Sequence, residues 1–378
     1  MRPLRILHTI THSQVTRGGA IQALLLARGQ QQQGHLVEVV CNSRASKPLH
    51  KSFQPWTAEG LLVLPFDMHK KRELLRYRRL LAANRPDVVH VHRDAALLFT
   101  FFATAFANPP AFISQRGTTH PFRSRTIAFC HRSRRVHRII AVAHAVKEAL
   151  VSYGVAPDRI EVVYGSFNVD RFDPARADRR ALRDELGLAE QDPLIVQVGE
   201  LHRKKAPVAF VETAALMLKE RSGLTFALVG KGKLQEDCER RIAELGVGER
   251  VRMLGFRTDI PSVYAAADIA VNSSTGYEGL TGALREALAM AKPVAATRVD
   301  GNPEVVRDGE TGLLVAPRDP EAMARAIGTL LDHPQRAREF GQAGRKLILE
   351  TMHPSVRLAR AEEVYRSVLE QRHAAATA

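Results

Sequence analysis

Glu278 and Glu286 stand eight residues apart in Glu278-Gly279-Leu280-Thr281-Gly282-Ala283-Leu284-Arg285-Glu286. That interval is about two turns of helix, or a loop carboxylate followed by one on the first turns of a helix. Small residues between them let backbone N–H groups approach a ligand closely, and a helix start favours phosphate because its first amides lack helical partners. One such element offers amides to a diphosphate while a carboxylate at each end accepts from sugar hydroxyls. A solvated helix with two surface glutamates is the commoner origin of the pair, so the spacing needs context. The other chemical residues also have ordinary explanations. Gly18-Gly19 between strand and helix is a common turn. His90 and His92 close a strand, where His90 reads best as a buried, hydrogen-bonded residue, and Arg116 and His120 follow another strand and equally suit a surface loop. Cys41, Cys130 and Cys238 are far apart with no CxxC pair, which excludes a disulfide framework or a cysteine-built zinc site.

The elements that must position these residues alternate along the chain. Short β-branched runs such as Arg5–Ile10, Val37–Val40, Asp87–His92 and Ala111–Ser114 are separated by helical stretches, among them Ile21–Gln33, Lys70–Asn84 and Ala95–Ala107. This is the pattern of a parallel sheet covered on both faces. The pattern restarts after a charged, strand-free stretch, with Leu194–Val198 before Gly199, Thr225–Val229 before Gly230 and Val251–Leu254 before Gly255. The expected division is a first domain over residues 1–172, a linker over 173–192, a second domain over 193–355, and a terminal helix and tail over 356–378 that packs back on the first domain. Strands ending in Gly, Ser or Asn mark the carboxyl edge where open α/β sheets bind ligands. Two such domains in tandem are expected to set two binding edges across a cleft.

Several segments resemble the retaining glycosyltransferases of family 4, which have the two-domain GT-B fold. Glu278 and Glu286 match that family's two glutamates. Lys292–Thr297, Gly301-Asn302-Pro303-Glu304, Asp308–Val315, Val198-Gly199-Glu200-Leu201 with Lys205, Val229–Gly232, Leu254-Gly255-Phe256, Tyr264–Asp268 and Arg17-Gly18-Gly19-Ala20 follow its order and intervals. The resemblance implies an α/β, GT-B-like chain of two Rossmann-like domains, acting as a metal-independent hexosyltransferase. Glu286 would bind the ribose and Glu278 the transferred sugar. The amides of Leu280, Thr281 and Gly282 would reach the distal phosphate and Lys205 would neutralise the diphosphate, with Arg203, His202 or Lys204 as the second cation. The backbone near Phe256 would receive the base, Gly230 would belong to the donor site, Gly19 would approach the donor or acceptor, and Arg116 or His120 would face the sugar and acceptor. No cofactor and no metal are implied beyond the UDP- or GDP-linked donor, and no Asp-x-Asp near these elements presents a metal clamp. The chain departs from the family where Glu200 stands in place of the usual Arg, and where Thr281-Gly282 replaces the commoner Gly and Leu.

Charge adds the acceptor side. The 378 residues carry a formal net charge of +15, and all of the excess falls in residues 1–172, with 25 basic against 10 acidic residues. A one-sided basic surface implies an anionic partner, here a cell-envelope saccharide or lipid-linked acceptor and a peripheral contact with an anionic membrane. A nucleotide-sugar epimerase of the same fold remains an alternative. A nucleic-acid-binding protein would explain the charge but not the neutral second half, so nucleic acid is not expected as a partner. The three scattered cysteines suit a reducing cytoplasm, and no signal-peptide core or spanning stretch is visible, so a soluble chain is expected.

Overall fold

The computed structural model describes residues 2–15, 18–43, 48–105 and 110–377. Arg17, Phe106 and Ala107 at the end of the expected apolar helix, and Ala378 lie outside the described residues. The chain forms two compact units, one of Met1–Ser166 with Pro354–Ala378 and the other of Phe167–His353.

In the first unit the strands are β1 (Arg5–Ile10), β2 (Leu36–Asn42), β3 (Leu62–Phe66), β4 (Val88–His92), β5 (Ala111–Arg116), β6 (Arg138–Ala141) and β7 (Ile160–Val162). Helices α1 (Gly18–Gln32), α2 (Gln54–Ala58), α3 (Lys71–Asn84), α4 (Asp94–Ala103), α5 (Arg125–Arg132) and α6 (His144–Ser152) connect them. The second unit holds α7 (Arg180–Glu185), β8 (Leu194–Val198), α8 (Pro207–Glu220), β9 (Thr225–Val229), α9 (Gln235–Glu244), β10 (Val251–Gly255), α10 (Ile260–Ala266) and β11 (Ile269–Asn272). It continues through α11 (Gly282–Ala289), β12 (Val294–Thr297), β13 (Leu313–Val315), α12 (Pro320–Asp332) and α13 (Pro334–Met352), and α14 (Pro354–Thr377) returns to the first unit.

Among the described residues every strand pairing is parallel, in the orders β3-β2-β1-β4-β5-β6-β7 and β10-β9-β8-β11-β12-β13. Each sheet starts at its centre and reverses its winding once, between β1 and β4 and between β8 and β11. Those are the two topological switch points, where open α/β sheets leave a crevice at the strand carboxyl ends. β4, β9, β11 and β12 are buried along their whole length, as strands covered on both faces must be.

The boundaries differ from the expected ones. The first unit ends at Ser166, not 172, and residues 173–192 belong to the second unit instead of forming a linker. Arg183 of α7 is buried at 2 % exposure and donates to the carbonyls of Ala266 (2.9 Å), Glu190 (3.1 Å) and Asp192 (2.6 Å). A charge-rich composition thus conceals a buried arginine satisfied by backbone oxygens. In α14, Tyr365 is fully buried in the core of the first unit, its hydroxyl 2.7 Å from His90 Nδ1.

Candidate functional site

In the second unit the site grows from the two strands that flank the switch point. Beyond β8 the chain turns at Gly199, and Gly230 at the end of β9 passes so close that a Cβ on it would lie 1.9 Å from the Gly199 carbonyl oxygen. With its φ of 144° as well, position 230 admits only glycine. Gly230 therefore brings two strand ends into contact. A short turn over Arg203–Lys205 follows, and Ala206 with φ 43° turns the chain into α8. The Gln197 amide donates to the Lys205 carbonyl (3.1 Å), and the Ser273 hydroxyl lies 2.7 Å from Gln197 Oε1, 3.1 Å from the Lys205 carbonyl and 3.0 Å from that of Ala206. Gln197 and Ser273 are both buried, so β8 and the end of β11 together fix the backbone of Lys205.

The segment after β11 carries the first glutamate. Thr275 N–H donates to the Lys204 carbonyl (2.8 Å) and Glu278 N–H to Asp300 Oδ2 (2.9 Å). Tyr277 and Asp300 take positive φ values of 60° and 43°, so three of the non-glycine residues in that region, counting Ala206, surround this one loop. Such backbone is retained where its surroundings hold it, and it clusters at ligand sites. The Lys205 ammonium meets Glu278 Oε1 at 3.2 Å, with both side chains 20 % exposed. The pair is accessible enough for an anion to compete for the amine.

Helix α11 starts four residues after Glu278. Thr281 is its cap residue but its side chain makes no capping hydrogen bond. Its hydroxyl lies instead 3.2 Å from Asn302 Oδ1, while the Asn302 amide donates to Asn272 Oδ1 (3.2 Å) and the Thr297 carbonyl (3.0 Å). The fully buried Asn302 thus ties the helix start to β11 and β12, and among the described residues the Thr281 side chain does not cap the first-turn amides of α11. An anion is the natural partner for such amides. Glu286 sits on the second turn. Burial pushes its carboxyl up to about 7, against the opposing charges of Arg285, Arg171 and Lys205.

Among the sequence-based candidates, Lys205, Glu278, Leu280, Thr281, Gly282 and Glu286 thus converge on one switch point. Arg203 lies exposed on the turn with Lys205, Glu200 is exposed, and Gly230 and the 70 %-exposed Phe256 occupy the ends of β9 and β10. Gln197, Ser273, Asp300 and Asn302 were missed. Their only signal was a polar residue at a strand end or in a motif with no assigned contact.

The first unit contains Gly19, Arg116 and His120. Gly19 lies in the first turn of α1, where a Cβ would come within 3.4 Å of His12. Arg116, at 4 % exposure, is committed internally: its guanidinium donates to Asp94 Oδ1 (2.8 Å) and to the His120 carbonyl, and stacks over Phe122 at 5.0 Å. His131 meets the same Asp94 oxygen at 3.3 Å and stacks on Phe122. Burial alone would raise the Asp94 carboxyl, but the His131 bond and the Arg116 charge hold it below its usual value. The Tyr153 hydroxyl donates to the Thr119 carbonyl (2.7 Å). Arg116 is therefore a clamp on the loop that carries His120, and of the two it is His120 that is half-buried at the strand edge.

Among the described residues, His8, His90 and His92 form a group whose ring nitrogens lie close enough to surround an ion. Their bonding is internal: His8 Nδ1 to His92 Nε2 (2.9 Å), His8 Nε2 to Gln30 Oε1 (2.8 Å) and His90 Nδ1 to Tyr365 (2.7 Å). The nearby Arg357 charge opposes a cation. Burial and the Arg357 charge hold all three rings below the usual imidazole value, which favours their neutral form, and His90 Nε2 and His92 Nδ1 find no hydrogen-bond partner among the described residues.

The fold is that of GT-B glycosyltransferases. It superposes on the crystal structure of Anabaena HepE in complex with UDP with a TM-score of 0.85 at 19% identity, over 96% of this chain and 100% of that one. The model of Glycosyltransferase Family 4 matches residues 16–171 and that of Glycosyl transferases group 1 matches residues 192–333, so the chain belongs to this glycosyltransferase family. A D-inositol 3-phosphate glycosyltransferase of Nocardia farcinica is 36% identical over 215 residues, which are 54% of this chain and 47% of that protein. A GDP-mannose-dependent alpha-(1-6)-phosphatidylinositol monomannoside mannosyltransferase of Mycolicibacterium smegmatis is 32% identical over 55% of this chain and 56% of its own length. The chain spans about half the length of the curated relatives it matches. Among the described residues no helix is long and apolar enough to cross a membrane.

Proposed function

We propose that the protein is a retaining glycosyltransferase that moves a hexose from a UDP- or GDP-linked donor to a cell-envelope saccharide or lipid-linked acceptor. The observation that carries this reading is the convergence of the Lys205–Glu278 pair, the uncapped start of α11 and Glu286 on one switch point. A diphosphate entering there would draw the Lys205 amine from Glu278 and accept from the first amides of α11. Glu278, released from the amine, would accept from hydroxyls of the transferred sugar, and Glu286 would accept from the ribose. As the bond from anomeric carbon to phosphate oxygen breaks, negative charge gathers on the leaving diphosphate, where a fixed cation and oriented amides stabilise it. Lys205 with those amides supplies countercharge without a metal. Front-face attack by the acceptor hydroxyl, its proton passing to the leaving phosphate oxygen, retains the anomeric configuration.

The relatives' names support a sugar-nucleotide donor, and the phosphatidylinositol mannoside acceptor named for one of them supports a lipid-linked acceptor. The basic first unit supports peripheral contact with an anionic membrane. The test is a thermal-shift and turnover panel of UDP, GDP and their sugars. A ligand at a hundred times its dissociation constant should stabilise by about 2.7 kcal/mol. No shift with any nucleoside diphosphate would overturn the reading.

A further inference from the structure

On the first unit, α3, α4 and α5 lie side by side on one face of the sheet. That face exposes three large apolar side chains, Leu75 (59 %), Phe102 (52 %) and Phe129 (63 %), one from each helix. Exposed aromatics on consecutive helices are unusual on a solvated surface, and clusters of them mark interaction sites. Phe129 leans on the buried Phe101, their ring centroids 5.9 Å apart, which ties α5 to α4 beneath the exposed rings.

The charges around these residues have one sign. From Lys70 to Arg138 the chain carries 15 basic and 3 acidic residues. The three acids are engaged: Glu73 with Arg76 (3.0 Å), Asp94 with Arg116 (2.8 Å) and Asp87 with Arg2 (2.8 Å). Arg72, Arg78 and Arg79 remain exposed on α3, beside Leu75. Between α3 and the end of α4 a groove forms in which Arg78, Arg79, Arg85 and Arg372 surround Leu75 and Ala103.

We infer that the α3–α4–α5 face is a membrane-docking surface, in which Leu75, Phe102 and Phe129 enter the interfacial layer of an anionic bilayer while the arginines engage lipid phosphates. A soluble acidic partner would account for the arginines alone. A bilayer accounts for both the arginines and the apolar side chains, since interfacial binding scales with buried apolar area together with attraction to anionic headgroups. Long arginine stems also lie along apolar surface while their heads reach phosphate. This deepens the membrane contact in the proposed function and rests on it, but it stands apart from the donor chemistry of the second unit.

Co-sedimentation with vesicles tests it. The full chain is mixed with phosphatidylcholine vesicles with or without phosphatidylglycerol, at low and high salt, and thermal shift with UDP and GDP is measured in parallel. The parent should partition to the phosphatidylglycerol vesicles and not to phosphatidylcholine alone. Leu75→Ser with Phe102→Ser and Phe129→Ser should lower that partitioning at least ~10-fold even at low salt, with the nucleotide shift unchanged. Arg78→Gln with Arg79→Gln should lower it at low salt, and Phe102→Trp should shift its emission to the blue on anionic vesicles. A parent that shows the nucleotide shift but stays in the supernatant refutes the surface while leaving the donor site intact. A serine variant that partitions like the parent shows contact by charge alone and overturns the insertion. Loss of the nucleotide shift in the parent would instead count against the proposed donor chemistry.

Discussion

Acidification should open the first unit before the second. Burial pushes His8 down to about 4 and holds His90 and His92 well below their usual value, with Arg357 and the mutual charges of the cluster acting in the same direction. The Gln30 hydrogen bond works against this on His8, and the charge of His12 adds to it on His92. His137, down to about 4 through burial and the charge of Arg372, shares the sign. The unfolded chain takes up a proton near the ordinary histidine value of 6.5, whereas folded His8 does so only near 4. The stability that the neutral His8 ring contributes is therefore complete above about pH 6.5 and is lost as pH falls towards 4, at about 1.4 kcal/mol per pH unit. From about pH 7.5 to about pH 5, His8 alone accounts for about 2 kcal/mol, a large share of the 5–15 kcal/mol typical of a domain. His90, His92 and His137 add to that loss. Glu286 in the second unit has the opposite sign, because its raised pKa favours the folded state as pH falls towards 4.5. Native-state hydrogen exchange, read on peptides from β1 and β4 against β8 and β11 and corrected for intrinsic rates, separates the two. The first pair should lose more than ~2 kcal/mol of opening free energy over that pH range. A change in β1 and β4 below ~1 kcal/mol would refute the neutral buried cluster.

Lys205→Ala should raise the barrier to sugar transfer by about 2–4 kcal/mol, read as kcat/KM. Near-normal turnover in that variant together with loss in Arg203→Ala would move the diphosphate cation to Arg203. Arg116→Met leaves Asp94 without its cation and should cost about 3–5 kcal/mol of first-unit stability by chemical denaturation. It should also lower turnover with nucleotide affinity kept, and combining it with His120→Ala should add little further loss of turnover if Arg116 acts through that loop. Nucleotide affinity should rise with pH through about 7 as Glu286 ionises, a dependence that Glu286→Gln should flatten.

The fold was legible because its signals are local. Apolar runs ending in Gly, Ser or Asn, alternating with helical periodicity, specify two parallel sheets, and the Glu278–Glu286 spacing lies within one loop and helix. What failed to show depends on residues that meet only after folding. Gln197 and Ser273 fix Lys205 across 76 residues of chain, and Asn302 reaches Thr281 from 21 residues away. Nothing about a lone Gln, Ser or Asn announces such a contact. Arg116 shows the converse: a basic residue at a strand end suggests a ligand group, and its partner Asp94, 22 residues earlier, comes beside it only in the folded chain. The stretch 173–192 looked like a linker because charge is the usual mark of exposure, and Arg183 is an exception held by carbonyls.

The division of labour between the two glutamates is tested most directly by calorimetric titration of UDP and GDP into the parent, Glu286→Gln and Glu278→Ala. Loss of the charged acceptor at Glu286 should cost about 1.5–3 kcal/mol, a ten- to hundredfold rise in Kd for whichever nucleotide binds. Glu278→Ala should leave that Kd within a few-fold of the parent while its turnover of the sugar nucleotide collapses, because the free nucleotide lacks the sugar that Glu278 would hold. Equal losses of nucleotide affinity in both variants, or none in Glu286→Gln, would contradict the assignment of ribose to Glu286 and sugar to Glu278.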